Sequence, residues 1–256
     1  MYKSLTFFLL MSMLFVSCSK RSEIITNLNQ LKEKRICVLT GSAGDIAAKS
    51  TFPNAKFFDM VALADAALAI KTGKADAFIY DKSVLLQIVE KNSDLIILNE
   101  RVAQLEVAVA LNKNNSQLLS QINNALSKLK DKGILDELRK KWVDSRYVTT
   151  PTLQAKNNNG TNGILKLGTY AVLEPFSFHS NSEFTGLDIE LSFLIGKLLD
   201  KKIEIYDMNF EGLIPALHSG KIDFALANFN VTEERKKLIS FSTPYIGNDI
   251  SVLVKK

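Results

Sequence analysis

Residues 222–237, IDFALANFNVTEERKK, carry much of the information about the fold. The first six are largely apolar, which is typical of a strand buried within a sheet. Thr232 has a side chain that caps helices, so a helix is predicted to begin there with Arg235 in its first turn. A buried strand, a short loop and a helix N-terminus that carries an arginine would suit the capture of a small carboxylate.

Predicted strands and helices also alternate over residues 28–142 and again from residue 164 onward. The main predicted strands are 35–39, 75–80, 105–111, 164–169, 202–206, 222–227 and 250–254. The main predicted helices are 46–50, 61–71, 81–90, 116–130, 134–142, 189–199, 212–218 and 232–239. Strands separated by helices favour parallel sheets flanked by helices, which is the α/β class.

One short pattern occurs once in each of these two regions. AIKTGKAD at 69–76 resembles ALHSGKID at 216–223, and each combines a helix end, a Gly-Lys turn and the start of a strand. The pattern is either a common helix–strand loop used twice or the sign of two similar α/β lobes, and we favour two lobes. The polar, turn-rich stretch 144–163 between the regions predicts a flexible linker.

Residues 1–17 have the pattern of a secretory signal peptide. Lys3 precedes an apolar run at 5–16, which is shorter than the roughly 20 residues of a membrane span. FVSC at 15–18 resembles the bacterial lipobox, so we expect Cys18 to be lipidated and residues 18–27 to form a tether. An ordinary signal peptide followed by an incidental cysteine is the alternative.

The composition argues against several other classes of function. The formal net charge is +5, but the basic residues are scattered, so no nucleic-acid partner is expected. The cysteines are Cys18 and Cys37, and the histidines are His179 and His218, far apart in sequence. We therefore expect no disulfide framework, no metal site and no cofactor. Cys37 should be a small buried residue of an apolar strand.

Seven motifs follow one another from residue 165 onward. They are LKLGT at 165–169, EPFSF at 174–178, TGLDIEL at 185–191, FEGLIPAL at 210–217, SGKID at 219–223, TEER at 232–235 and FSTPY at 241–245. In content and order they resemble the first lobe of the polar amino-acid-binding proteins of ABC importers, the bacterial extracellular solute-binding proteins of family 3.

Residues 28–142 resemble the remainder of the same family domain. The matching motifs are LNQLKEKRICV at 28–38, GS at 41–42, GKADAFIYD at 73–81, DKGIL at 131–135 and KKW at 140–142. The second half of the family domain therefore precedes the first, which implies a circular permutation. A fragment of two incomplete tandem domains is the alternative, and the signal peptide with matching halves in one chain favours permutation.

The resemblance implies a two-lobed, type II periplasmic-binding-protein-like α/β fold, with each lobe a sheet flanked by helices, circularly permuted. The expected divisions are 28–106 for lobe 2, 111–146 for C-terminal helices packing on lobe 1, 147–163 for a linker, 164–246 for lobe 1, and 250–256 for a final strand returning to lobe 2. Crossovers between the lobes are expected near 106–110 and 245–249.

The resemblance also implies a ligand site between the lobes. Arg235 would hold the α-carboxylate of an amino acid, and Asp81, at the end of a buried strand, would hold its α-ammonium. The other expected ligand-binding residues are Asn230, Ser42, Phe210, Asn228 and Tyr170.

Each of the main assignments has a structural alternative. Arg235 could be a surface side chain that pairs with Glu233 or Glu234. Asp81 could instead cap the helix that follows it. Phe210 could simply belong to the core, and this alternative is nearly as well supported as an aromatic wall beside the ligand.

Several positions depart from the family pattern. Tyr170 and Leu173 occupy a loop where the family often has an acid or an aromatic residue. Asn228 and Asn230 replace the more usual glycine and Ser/Thr, and Leu39 stands where a basic residue can occur. These departures leave the side-chain specificity of the site open, and a neutral or weakly polar amino acid is the ligand that we expect.

The function implied is that of a substrate-binding lipoprotein, not an enzyme, that captures an amino acid and docks on an ABC permease. It would be a monomer in the cell envelope, anchored by its lipid to the inner or outer membrane and facing the periplasm or the cell exterior. The alternatives are a dehydratase-like enzyme on the same fold, with Glu174 as a general acid, and a ligand-sensing lobe of a signalling system.

Overall fold

The computed structural model describes residues 24–145, 149–156 and 160–256. The predicted signal peptide and the predicted lipidation site Cys18 lie outside these residues. The strands are β1 (Arg35–Leu39), β2 (Lys56–Met60), β3 (Ala77–Asp81), β4 (Leu95–Val107), β5 (Ala110–Leu111), β6 (Ile164–Thr169), β7 (Val172–Leu173), β8 (Ser177–Ser180), β9 (Glu183–Thr185), β10 (Lys202–Asp207), β11 (Phe224–Ala225), β12 (Ser240–Phe241) and β13 (Ile246–Lys255).

Helices lie between most of these strands. They are α1 (Ala43–Thr51), α2 (Leu63–Lys71), α3 (Lys82–Glu90), α4 (Ser116–Asp131), α5 (Ile134–Arg139), α6 (Leu187–Leu199), α7 (Phe210–His218) and α8 (Glu233–Leu238). A 3-10 turn at Leu28–Leu31 precedes β1, and a π-helical turn at Lys140–Asp144 follows α5. No helix in the described ranges is long and apolar enough to cross a membrane.

Two five-stranded sheets divide the molecule into two lobes. The sheet of lobe 2 has the order β2-β1-β3-β13-β4, and that of lobe 1 has the order β10-β6-β11-β5-β12. A three-stranded sheet, β7-β8-β9, completes lobe 1 beside α6. The α/β class and the two-lobed architecture expected from the sequence are confirmed.

Strand β13 occupies an interior position in the sheet of lobe 2. It is antiparallel to both β3 and β4, with Ile250 opposite Asp81 and Val254 opposite Ala77. The other strands of this sheet all come from residues 35–107. The buried residues Ile250, Val252 and Val254 join one core cluster of lobe 2, and Leu253 joins the main core on the opposite face.

The described chain passes between the lobes twice, through segments that lie side by side. One joins β4 to β5 and the other joins β12 to β13. Ser242 donates its N–H to the carbonyl of Val109, and Tyr245 donates its N–H to the carbonyl of Val107, both at 3.0 Å. This pair of extended segments connects the two lobes.

The first of these connections shows that one predicted strand is in fact two strands in different sheets. Residues 105–111 are an apolar run and were expected to be a single strand, but Val107 ends β4 in lobe 2 and Ala110 begins β5 in lobe 1. The run is apolar because it is buried in both lobes, so hydropathy cannot reveal that the chain changes sheets within it.

The described parts of the predicted linker are hydrogen-bonded to lobe 1, and the expectation of a flexible stretch stays a prediction. Gln154 and Ala155 donate their N–H groups to Glu190 at 2.8 and 3.2 Å. Thr161 donates its N–H to Asp200 at 3.2 Å. Turn-forming composition predicts the absence of a helix or strand, but it does not predict these long-range hydrogen bonds.

The predicted tether is also shorter than expected. Ile25 is buried in the core of lobe 2. Asn27 caps the 3-10 turn by accepting the N–H of Asn29 at 3.1 Å. Residues 24–27 therefore belong to lobe 2, because their apolar and capping side chains have partners there.

Candidate functional site

All seven residues predicted to bind ligand line one cavity between the lobes. The residues that share this lining with them are Leu39, Thr40, Ala43, Tyr80, Leu173 and Ala227. The cavity has a volume of about 30 Å³, room for one or two water molecules.

Arg235 reaches the cavity because its helix begins at the inner edge of lobe 1. Thr232 caps α8 by accepting the N–H of Arg235 at 3.3 Å. The guanidinium lies against the neighbouring rings of Phe210 and Phe229, 4.9 Å from each centroid, and the two centroids are 4.8 Å apart. The two rings hold the charged group in place through cation–π contacts.

The guanidinium of Arg235 is buried and bonds to both lobes. It donates to the carbonyl of Asn230 at 2.8 Å and to the carbonyl of Gly41, in lobe 2, at 3.1 Å. Burial lowers its pKa to about 10, against the raising effect of Asp81, so it is charged at neutral pH. The alternative of a surface arginine is wrong, because the side chain is 6% exposed.

Asp81 ends β3 in lobe 2 and is enclosed by amides. Its carboxylate accepts from the side chain of Asn230 at 2.7 Å and from that of Asn248. It makes no side-chain cap bond to α3, so the helix-cap alternative is wrong. Burial raises the pKa of Asp81, while the hydrogen bonds from these amides and the charge of Arg235 oppose the rise.

Asn228 and Asn230 hold the loop between β11 and α8 under the cavity. Asn228 adopts a left-handed backbone conformation, with φ of 49°. Its N–H donates to Asp188 at 2.7 Å, and Asp188 also accepts from the hydroxyl of Tyr245 at 2.7 Å. The side-chain oxygen of Asn228 is buried and accepts no hydrogen bond from the described residues.

Ser42 and Tyr170 approach the cavity from opposite lobes. Ser42 caps α1 by accepting the N–H of Asp45 at 3.1 Å, and its hydroxyl proton is left to donate elsewhere. Tyr170 is half-buried between β6 and β7, and burial raises the pKa of its phenol. The alternative for Phe210 is partly right, because its ring packs 4.8 Å from Phe229 as well as lining the cavity.

Sequence reasoning missed several residues of the site. Tyr80, Thr40, Phe229 and Asn248 line the cavity or contact Asp81 and Arg235 directly. Tyr80 and Phe229 were hidden within apolar stretches that predict core residues. A polar residue within an apolar strand is the signal that could have identified Asn248, because a buried amide requires a partner.

A cavity between two lobes that is lined by one buried cation and one buried anion is typical of small-molecule binding proteins. Residues 165–256 match the model of the bacterial extracellular solute-binding proteins, family 3. This match confirms the resemblance of the motifs from residue 165 onward to that family. The description of the family places its members outside the cell.

Two relatives are binding proteins for amino acids. A probable histidine-binding protein of Campylobacter jejuni is 41% identical over 91 residues, which cover 36% of each chain. The arginine-binding extracellular protein ArtP of Bacillus subtilis is 35% identical over 104 residues, 40% of this chain and 41% of ArtP. The chain thus matches less than half the length of these relatives.

A solved structure of the arginine-bound form of domain 1 from TmArgBP is 36% identical to this chain. The match covers 38% of this chain and 82% of the solved chain, with a TM-score of 0.33.

Proposed function

We propose that this chain is a lipid-anchored substrate-binding protein that captures an amino acid between its lobes for an ABC transporter. The observation that carries the proposal is the position of Arg235 and Asp81. The two charges are buried, come from different lobes and line one cavity. An α-carboxylate on the first and an α-ammonium on the second would bridge the lobes.

Such a bridge explains why a ligand would drive closure. A ligand shifts an equilibrium between conformations only through contacts that differ between them. In an open form, an amino acid would reach one of the two charges at a time. In the closed form it reaches both, and the segments at 107–110 and 241–246 provide the hinge.

The proposal includes an anchor and a location. The FVSC motif at 15–18 supports lipidation of Cys18 and attachment to the cell envelope, where a captured amino acid would be delivered to a membrane permease. A monomer suffices for this role, because both charged groups of the site come from one chain.

The site also favours binding over catalysis. Glu174, the acid considered as a general acid, does not line the cavity and pairs with Lys91 of lobe 2 at 2.9 Å. The names of the relatives describe binding proteins. We therefore propose that the bound amino acid is released unchanged.

We also propose that the order of the halves is a circular permutation of the family domain. The family match covers residues 165–256. Residues 35–107 supply the other strands of the sheet that contains β13. Both lobes are built by one chain, which supports a permuted domain over two tandem fragments.

The test of function is a thermal-shift screen of the 20 common amino acids, followed by calorimetry. A ligand at 100 times its Kd should stabilise the protein by about 2.7 kcal/mol. Arg235→Ala and Asp81→Ala should each weaken binding of the best ligand by about 30- to 5,000-fold. Lys236→Ala is the matched control, because Lys236 is an exposed cation on the same helix. Either site variant binding within about threefold of the parent would remove that residue from the proposed site.

A further inference from the structure

We propose that the site selects amino acids with uncharged side chains and discriminates against arginine, lysine, histidinium, aspartate and glutamate. The inference rests on the proposed function and narrows its ligand. The ligand class that we propose also differs from the amino acids in the names of the relatives, which are histidine and arginine.

The charge balance of the cavity carries this proposal. Among the described residues that line it, only Asp81 and Arg235 carry charge. The α-ammonium and α-carboxylate of one amino acid neutralise both. A third charge on the ligand side chain then has no partner in the lining, and an unpaired buried charge is costly.

Acids just outside the lining already have partners. Glu174 pairs with Lys91 at 2.9 Å. Asp188 accepts from Tyr245 and from the backbone of Asn228, both at 2.7 Å. A guanidinium or ammonium on the ligand would have to disrupt one of these contacts in order to find a carboxylate.

Asp207 is a further acid, and it contacts the backbone next to the lining residue Tyr170. It accepts the N–H of Ala171 at 2.9 Å, and its second oxygen lies 3.9 Å from the ring of His179. Tyr170 lines the cavity and Asp207 acts on the pKa of its phenol.

The rest of the lining is suited to a small neutral group. Leu39, Ala43, Leu173 and Ala227 present apolar surface, and Thr40 adds a hydroxyl. These groups can pack against a methyl, hydroxyl or amide side chain. These lining groups offer no ionised partner, so the site selects ligand side chains that are both small and uncharged.

Calorimetry on the purified chain tests the inference with defined probes. Alanine, serine, asparagine and glutamine represent uncharged side chains, and arginine, lysine and glutamate represent charged ones. We expect the best uncharged ligand to bind at least about tenfold more tightly than each charged ligand, a difference of about 1.4 kcal/mol. A charged ligand within tenfold of it, or tighter, would overturn the inference and leave the proposed function standing. Binding of none of these amino acids would overturn both.

Adding an acid to the lining tests the charge balance itself. Thr40 is exposed at the rim, and its hydroxyl donates only a long bond of 3.3 Å to the carbonyl of Met60. Thr40→Glu should tighten arginine binding at least about tenfold relative to the parent. Thr26→Glu, at an exposed threonine outside the cavity lining, should leave it unchanged.

A Thr40→Glu protein that still binds the best neutral ligand but gains no arginine affinity would overturn the inference. If that variant does not fold, Tyr170→Glu provides the same test, because Tyr170 is half-buried in the lining on the opposite lobe. The gain for arginine would again be measured against the parent.

Discussion

At the scale of single residues, the site is built from buried charges whose partners are neutral dipoles. Asp81 accepts from amides, and Arg235 donates to backbone carbonyls while its guanidinium packs against two neighbouring aromatic rings. Hydrogen bonds to charged groups are stronger than those between neutral groups. Both charges can therefore stay buried in the closed form and still be available to a ligand when the lobes separate.

Asp188 makes the stability of the protein dependent on pH. Burial raises its pKa to about 6, against the hydrogen bonds from Tyr245 and Asn228. The folded protein therefore binds this proton more tightly than the unfolded chain. The resulting stabilisation is complete below about pH 4 and is lost as the pH rises through about 6, a change of about 3 kcal/mol at 1.36 kcal/mol per pH unit.

Asp188→Asn should remove this dependence. Urea unfolding of parent and variant at pH 4, 5, 6 and 7 would give the difference in their free energies of unfolding at each pH. We expect that difference to change by about 3 kcal/mol in favour of the variant between pH 4 and pH 7. A difference independent of pH would show that Asp188 does not titrate in this range. Glu183→Gln is the control, at an exposed acid of β9.

At the scale of elements, α1 positions the lobe 2 side of the site through a close contact with β3. A Cβ atom on Gly44 would lie 2.5 Å from the carbonyl oxygen of Ile79 and 3.1 Å from the Cα atom of Tyr80. Glycine at this position lets the helix approach the strand. Ser42, which caps the helix, is thereby held at the cavity beside Asp81.

Gly44→Ala should destabilise the protein by about 1–3 kcal/mol, because backbone atoms must move apart to admit the methyl group. It should also weaken amino-acid binding, since α1 carries Ser42. Gly212→Ala is a matched control in α7, where the nearest atom to an added Cβ is the sulfur of Met208 at 3.9 Å. This control should be stabilised by about 0.4–1 kcal/mol. Thermal and urea unfolding measure both, and a Gly44→Ala protein as stable as the parent would contradict the role of the contact.

The sequence predicted elements best where their residues follow a clear apolar pattern. Strand β1 was predicted with its observed bounds, and the apolar spacing of α4 was recognised. Strand β2 was missed because its pattern contains Lys56 and Asp59 and most of its residues are only partly buried. The contact of Asn248 with Asp81 depends on the register of β13 against β3, which no local pattern encodes.

At the scale of the whole molecule, the two lobes are joined by contacts that the order of the chain does not reveal. Lys91 and Glu174 pair across the lobes at the surface, and Arg235 bonds to Gly41 in the interior. The positions of the two main charges could be predicted because they lie in recognisable motifs. Their enclosure by Asn248 and Phe229 could not, because it results from three-dimensional packing of distant segments.

Restoring the family order should preserve the fold if the permutation proposal is correct. The redesigned chain would begin at residue 151, run to 256, continue through a short Gly/Ser linker to residue 24 and end at 145. It retains Gln154 and Ala155, which bond to Glu190. We expect cooperative unfolding and a Kd for the best ligand within about threefold of the parent.

A second redesigned chain serves as the control for that experiment. It carries the same linker but begins at residue 187, which separates α6 from the β7-β8-β9 sheet that packs on it, and it ends at residue 186. It should be less stable than the first. A restored-order chain that remains unfolded while this control folds would contradict the proposal.

The interior position of β13 has a consequence for synthesis. A ribosome releases β1, β3 and β4 long before it reaches residue 246, and until then β3 and β4 lack the strand that lies between them. While lobe 1 is being synthesised, the edges of β3 and β4 that face β13 in the folded protein therefore remain unpaired. The sheet of lobe 2 is completed by a segment that is translated after the strands of lobe 1.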